Sequence, residues 1–372
     1  SRSMSTINPC QAFVTGGSGF VGGALCVELV RQGWTVTALL RSPDKSRRLA
    51  EQGVHLVQGD ILDPASIARA LPQGVDAVFH VAGDTSLWAK HDAMQTRINV
   101  EGTRNMVEAA KAAAAKRFVL TSTISAYGLQ PGTITEATPS VAPQSFINYE
   151  RSKFASEDLV RREAAQGFDA VILQPGAIIG PGDASNWGRM FGLVKAGMLP
   201  FLPAGSLPFN HVDQIVLAHI AAAERGRSGE SYLLGGHDMK LADLVSGICQ
   251  RVGRRKPGFT MPPMLMSLMG SLVGALTPAS ASVPLMSREL AAMMSADTRS
   301  DSSKAMRELG LPAETARRSA LATFAGAVKL ALADSADPAT LRARVTTGGR
   351  IASAAMGTST ASAPMVTISV LR

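Results

Sequence analysis

Tyr149 and Lys153 stand four residues apart, separated by Glu150, Arg151 and Ser152. On a helix that spacing places both side chains on one face, because 3.6 residues make a turn. A lysine ammonium held beside a phenol stabilises the phenolate and lowers its pKa, and it can also reach a cofactor ribose. A tyrosine tuned in this way can give or take a proton near neutral pH. The spacing alone is a weak signal, since most such pairs are an interfacial tyrosine and a solvated lysine. What matters is what the preceding chain builds beside it.

The apolar run Cys10 to Thr15 reads as a strand, and Gly16-Gly17-Ser18-Gly19-Phe20-Val21-Gly22 opens a periodic helix reaching about Gln32. Strand, glycine turn and helix in that order form a dinucleotide fingerprint. Gly16 permits the tight turn, Gly19 lets backbone N–H groups approach a pyrophosphate, and Gly22 lets the helix pack on the sheet. The spacing is G-x-x-G-x-x-G rather than G-x-G-x-x-G, and a glycine-rich turn with no ligand is the alternative. The next strand, Thr35 to Leu40, ends in Arg41, followed by Lys45, Arg47 and Arg48. A cation there, in place of a carboxylate for the ribose diol, favours NADP(H) over NAD(H). A solvated basic helix start would look the same.

Val54 to Gln58 reads as a third strand ending at Gly59-Asp60-Ile61, where Asp60 could meet an adenine or cap the helix after Pro64. The fourth, Asp76 to Val81, leads into Ala82 and Gly83, small enough to let a cofactor pass. Thr85, Ser86 and Trp88 follow on a loop at the carboxyl edge, where doubly wound sheets bind ligands. A long helix is expected over Asp92 to Ala115 and a fifth strand over Arg117 to Ser122. An irregular stretch from Tyr127 to Ser145 precedes the helix of Tyr149, with Ser145 or Asn148 near its start. A sixth strand spans Asp169 to Leu173. Alternation of this kind predicts an α/β, Rossmann-type doubly wound parallel sheet with helices on both faces.

The chain resembles an extended short-chain dehydrogenase/reductase, closest to dihydroflavonol reductase and 3β-hydroxysteroid dehydrogenase-like reductases. The resemblance rests on TGGSGFVG from Thr15, GDILD from Gly59, NVEGT from Asn99, STISAYG from Ser122, YERSK from Tyr149 and LQPGAIIGPGD ending at Asp183. These occur in family order over about Phe13 to Asp183. It implies that Tyr149 exchanges a proton with substrate while Lys153 binds the nicotinamide ribose. Thr123 would hydrogen-bond the substrate oxygen, with Ser122 as its structural rival. Asn99 would join a proton relay or serve as a buried amide bonding backbone. Val81, Ala82 and Gly83, with Pro175, Gly176 and Ile178, would border the cofactor. Ser125, Trp187 and His211 are candidate substrate contacts, although Trp187 and His211 are each more often structural. The implied hydride transfer, between nicotinamide C4 and a ketone or secondary alcohol, needs no metal.

Related enzymes acting on nucleotide sugars usually carry an arginine before the His-Val-Asp segment. Here Leu207 to Asp213 reads LPFNHVD, which weighs against an epimerase or dehydratase. A dinucleotide-sensing regulator on the same fold is the third reading, and members that become sensors commonly lose the Tyr/Lys pair that this chain keeps.

Between Lys256 and Arg288 there is no charged residue, and Met261, Met264, Met266, Met269 and Met286 fall within that interval. Met264 to Leu276 is too short to span a bilayer. It reads as a lid over an apolar pocket, as plain core, or as a peripheral membrane contact within 259–287. The substrate would then be a steroid-, flavonoid- or long-chain β-keto-like molecule. The expected division is a nucleotide domain over 9–183 with its sheet completed from 205–235, a substrate lobe over 184–335, and a flexible small-residue tail over 336–372. A Ser-Ser-Lys-Ala element at Ser302 to Ala305 completes the resemblance.

Composition is that of a globular chain, 46% hydrophobic and 18% charged. The +8 net charge is scattered and only 5% of residues are aromatic, so no nucleic-acid-binding stripe is present. Cys10, Cys26 and Cys249 show neither disulfide nor zinc spacing, which suits a reducing, cytoplasmic setting. No signal peptide is expected from the polar first eight residues. A homodimer through the helices before and after the fifth strand is a further expectation from the resemblance.

Overall fold

The computed structural model describes residues 10–183, 186–284 and 286–311. The tail expected over 336–372 lies outside these residues. In chain order the strands are β1 Gln11–Thr15, β2 Thr35–Leu40, β3 His55–Gln58, β4 Ala77–His80, β5 Phe118–Thr121, β6 Thr133–Ile134, β7 Ala170–Pro175, β8 Ala177–Ile179, β9 Ser206–His211, β10 Ser231–Leu234, β11 His237–Lys240 and β12 Arg299–Ser300. The helices are α1 Phe20–Arg31, α2 Arg47–Glu51, α3 Pro64–Ala70, α4 Asp92–Thr96, α5 Gly102–Ala112, α6 Asn148–Ala165, α7 Asn186–Ala196, α8 Val212–Arg225, α9 Leu241–Arg251, α10 Pro263–Leu276, α11 Arg288–Ser295 and α12 Ser303–Leu309.

Seven strands form a parallel sheet in the order β10-β7-β5-β4-β1-β2-β3. All residues of β4 and β7 are buried, as expected of strands covered on both faces. Leu25 and Leu29 of α1 and Ile215 and Val216 of α8 pack one face of the sheet. Ile67 of α3, Met106 and Val107 of α5 and Val160 of α6 pack the other. The strand order runs outward in opposite directions from β1 and β4, so the topological switch point lies between them, where such sheets bind ligands.

A smaller sheet, β11-β9-β8, packs with α7 and α9 into a separate apolar cluster around Phe209, Leu244 and Ile248. The Ser302 to Ala305 element docks on β10. The Ser302 hydroxyl accepts from the Gly235 amide at 2.6 Å, Lys304 donates to the Ser231 carbonyl at 2.8 Å, and Ala305 is fully buried.

The helix expected over Asp92 to Ala115 is interrupted. Arg97–Glu101 forms a π-helical turn between α4 and α5, and α5 ends at Ala112. At this turn the Asn99 carbonyl accepts from the hydroxyls of Thr103 at 2.7 Å and, from α6, Ser156 at 2.6 Å. Such turns recur at functional sites.

Candidate active site

The glycine turn sits at the switch point. Gly16 adopts φ +74°, and a Cβ there would lie 2.7 Å from the Ala82 amide nitrogen, so β1 and β4 approach too closely for any side chain. A Cβ on Gly22 would collide with the Gly16 carbonyl oxygen. Gly19 is the N-cap of α1 and supplies no side-chain cap, which leaves the first amides of the helix open to an anion. Phe20 reaches across to Gly180, and both Phe20 and Ile178 pack against the same face of the sheet. Val21 packs beside Phe20 on the first turn of α1. Gly176 donates its amide to Leu234 at 3.0 Å and is crowded by Pro208, which fixes the Pro175 to Ile178 backbone.

Arg41 and Lys45 are exposed at the carboxyl end of β2. Leu40, the residue before Arg41, packs against Gly17 of the glycine turn. Asp60 does not cap the helix after Pro64: Asp63 does, accepting from Ala65 at 3.1 Å, while Asp60 accepts from Leu62 at 2.9 Å within its own turn. Ile61 packs beneath Gly102 of α5, and its carbonyl accepts from Asn105 at 2.9 Å.

Tyr149 and Lys153 lie on the first turns of α6. That helix starts without a side-chain cap; Ser145 accepts from Ile147 at 3.0 Å just before it. The Tyr149 hydroxyl lies near Thr123 at the end of β5, close enough for the threonine hydroxyl to act on its pKa. Ser122, the rival, is buried with its hydroxyl unpartnered, so Thr123 is the one that meets the tyrosine. Ser125 supports Thr123 by donating its amide to the threonine hydroxyl at 3.2 Å. Lys153 donates to the Thr121 carbonyl at 2.9 Å, and a Cβ on Gly83 would lie 3.5 Å from its ammonium.

Burial sets the charge states. It pushes Tyr149 up to about 12; the nearby Thr123 hydroxyl opposes this and Asp84 adds to it. The expectation of a lowered tyrosine pKa is therefore reversed, because loss of water around the phenol outweighs the neighbouring groups. Burial lowers Lys153 to about 8, against the opposing pull of Glu157.

The Asn99 side chain accepts from the Asp84 amide at 2.8 Å and donates to the Asp84 carbonyl and Ser152 hydroxyl, each at 3.0 Å. It clamps the loop after β4 onto α6. Ser86 donates its amide to Asp84 at 2.7 Å, and its carbonyl accepts from Gln95 at 2.6 Å; Thr85 between them is exposed. Trp88 is buried and donates to the Gly274 carbonyl at 3.3 Å, so its ring holds α10. Trp187 and His211 are not brought to this group. Trp187 packs edge-on against Phe209 at 4.9 Å in the smaller cluster, and His211 caps α8 by accepting from the Asp213 amide at 3.2 Å.

Sequence reading missed His80. Fully buried, it bonds Thr15 through Nδ1 at 2.8 Å and Thr103 through Nε2 at 3.1 Å. Thr15 in turn accepts from the Ala82 amide at 3.1 Å, and Thr103 donates to the Asn99 carbonyl. A neutral imidazole thus links the glycine turn to the π turn. Burial, with Lys153 nearby, lowers its pKa to about 3. Ser152 and Ser156 were also missed, although with Asn148 their spacing of four along α6 marks a polar stripe.

The sequence model of the NAD dependent epimerase/dehydratase family matches residues 12–235. The chain belongs to that family. The Pyrroline-5-carboxylate reductase dimerisation model matches residues 291–363, most of which lie outside the described residues. The chain is 32% identical to a putative dihydroflavonol 4-reductase of Synechocystis sp. over 81% of its length and 89% of the relative. It is 31% identical to sterol demethylase protein B of Methylococcus capsulatus, covering 85% of this chain and 96% of that one. The crystal structure of gox2253 superposes with a TM-score of 0.71 at 32% identity, covering 84% and 97% of the two chains. Among the described residues, no helix is long and apolar enough to cross a membrane.

Proposed function

We propose that this NAD(P)-dependent oxidoreductase interconverts a ketone and a secondary alcohol on an apolar molecule, with NADP(H) as its preferred cofactor. The observation that carries the reading is the grouping of Tyr149 and Lys153 on one helix face against the end of β5, with Lys153 bonded to the Thr121 carbonyl and Thr123 near the phenol, beside a glycine turn at the switch point. The uncapped start of α1 and the crowding at Gly16 and Gly22 fit a dinucleotide. Gly16, Gly19 and the first turn of α1 would hold its pyrophosphate, Lys153 its ribose, and Arg41 with Lys45 a 2′-phosphate. When bound, the nicotinamide supplies or accepts the hydride.

Tyr149 protonates the carbonyl oxygen during reduction, as suits a phenol held neutral by burial. Thr123 donates a second hydrogen bond to the same oxygen, and together they stabilise the developing alkoxide. Asn99 acts as a positioning residue through Asp84. The names of the flavonoid and sterol relatives support an apolar substrate. So does LPFNHVD, in which Phe209 is core, Asn210 donates to the Leu234 carbonyl at 2.6 Å, and no arginine is present to grip a diphosphate. We divide the chain into a nucleotide domain over 9–183, its sheet completed from 205–235 by β10, and a substrate lobe drawn mainly from 184–335. We place the protein in the cytoplasm, supported by its three free cysteines, and pair it as a homodimer through α5 and α6.

The test is NADPH and NADH oxidation with steroid, flavonoid and long-chain β-keto ketones, with Tyr149→Phe run alongside. Turnover lost in the variant, with cofactor binding kept, is the expected result. Turnover of UDP- or dTDP-sugars instead would give the site to an epimerase or dehydratase. Cofactor binding without any turnover would point to a sensor.

A further inference from the structure

Helix α10 presents an apolar surface that no other described residue covers. Only Met266 and Gly270 of the helix are buried, whereas Met264 is 86% exposed, Leu268 66%, Leu272 60% and Leu276 74%. These four recur at every fourth residue and form a ridge along one side of the helix. Leu265 flanks it and Phe259 precedes it, both about half exposed. A continuous apolar ridge of this kind marks an interaction site on a soluble protein. Its electrostatic setting is one-sided. No Asp or Glu occurs between Asp243 and Glu289, and Arg254, Arg255 and Lys256 stand exposed just before the helix. At the other end, the exposed Lys90 donates to the carbonyls of Ala275 at 3.2 Å and Thr277 at 2.5 Å.

We propose that α10 seats this protein on the surface of an anionic bilayer. A helix of 14 residues cannot span the hydrocarbon, so it lies in the interface with its ridge among the acyl chains and its basic ends at the headgroups. Charge decides against a second copy as the occupant. An antiparallel pairing on a twofold axis would bring the Arg254 to Lys256 cluster of one chain against Lys90 of the other, cation against cation. An anionic lipid surface neutralises both ends at once. The ridge is also coupled to the catalytic group. Trp88 and Leu87 hold α10 and its following segment, through bonds to the Gly274 carbonyl and from the Ser287 hydroxyl. From there the chain leads back directly to Gly83, beside the Lys153 ammonium. A seated α10 therefore puts this short loop next to the source of an apolar substrate.

The test is co-sedimentation of the full chain with vesicles of phosphatidylcholine alone and of phosphatidylcholine with phosphatidylglycerol. Wild type is expected to bind the anionic vesicles at least about tenfold more tightly than the neutral ones, in a salt-sensitive manner. Leu268→Ser/Leu272→Ser and Arg255→Gln/Lys256→Gln, each checked for an unchanged thermal transition, are expected to lose that binding. Failure of wild type to bind either vesicle overturns the proposal, as does binding that survives the Leu268/Leu272 substitutions. A dimer in solution that those substitutions dissociate, without vesicle binding by wild type, assigns the ridge to a second copy and also overturns it. Vesicle association is read without turnover and so does not depend on the reductase reading.

Discussion

The Lys153 ammonium donates to the Thr121 carbonyl oxygen at 2.9 Å, tying α6 to the carboxyl end of β5. On its other side the Thr121 hydroxyl bonds Nε2 of His219 at 2.7 Å. Lysine, strand end and α8 thus form one rigid unit. The cost is a cation held out of water, and burial lowers it from an ordinary 10.5 to about 8.

That cost predicts a stability–activity conflict. The folded protein releases the Lys153 proton near pH 8 and the unfolded chain near 10.5, so between them the unfolded state holds more protons and stability rises with pH. Below pH 8 the penalty is fully present, at about 3 kcal/mol by order of magnitude. Lys153→Met should abolish turnover yet raise the Tm of the cofactor-free protein at pH 7 by a few degrees, an advantage that shrinks from pH 8 towards 10. Calorimetry across pH 7–10 checks this; a Tm that falls at pH 7 would show that the carbonyl bond outweighs desolvation.

Tyr149 carries a different pH signature. With its pKa pushed up to about 12, it stays a proton donor across the neutral range. Ketone reduction should therefore be nearly flat between pH 6 and 7 and fall as Lys153 loses its proton near pH 8, while alcohol oxidation, which needs a proton acceptor, should climb with pH over pH 6–7. Tyr149→Phe should lower kcat by about 10²–10⁴-fold, with cofactor affinity kept within a few-fold. Steady-state profiles in both directions, beside cofactor fluorescence titration, separate these effects.

Two buried histidines set the acid limit. Burial lowers His80 from 6.5 to about 3 and His219 from 6.5 to about 4. As pH falls below 6.5 the unfolded chain takes up protons that the folded chain refuses, so stability is lost at up to about 1.4 kcal/mol per pH unit for each histidine. Urea midpoints should drop between pH 6.5 and 4, and His80→Gln should remove roughly half of that slope. An unchanged slope in the variant would place the proton uptake elsewhere.

Much of this arrangement is legible in the residues, for identifiable reasons. The strands of the main sheet are covered on both faces, so β4 and β7 read as apolar runs, and glycines with no tolerance for a Cβ bracket the turn after β1. The π turn is not legible, and the hydroxyls of Thr103 and Ser156 meet its carbonyl only in three dimensions. His80 ends an apolar run and gives no spacing signal, since its partners are Thr15 and Thr103. Trp187 and His211 are residue types suited to a pocket and more often structural, and nothing in the local sequence says that one packs on Phe209 and the other caps α8.

The glycine turn makes a steric prediction. An alanine at 22 would drive its methyl into the Gly16 carbonyl oxygen, which can move only by displacing the turn itself. Gly22→Ala should weaken dinucleotide binding at least about tenfold and lower Tm, at a cost of about 1–3 kcal/mol typical of overpacking. Fluorescence titration and thermal unfolding read the two effects separately. Gly33→Ala serves as the control, since its Cβ position meets no atom within 4 Å and the loss there should be confined to backbone strain at φ +89°.

The proposed preference for NADP(H) makes a prediction at Arg41. It stands exposed at the end of β2, one residue beyond Leu40, which packs on Gly17 of the glycine turn. A guanidinium can grip a 2′-phosphate with two parallel hydrogen bonds, whereas a ribose diol offers it no charge to pair with. Arg41→Ser should therefore raise the KM for NADPH by about tenfold or more, since charge-assisted hydrogen bonds contribute about 1.5–3 kcal/mol. The KM for NADH should stay within about twofold. Lys45→Ser, farther along the same segment, should produce the smaller shift in the same direction. Equal losses for both cofactors would mean that Arg41 supports the turn as a whole, and no loss for either would leave it a solvated cation at the strand end.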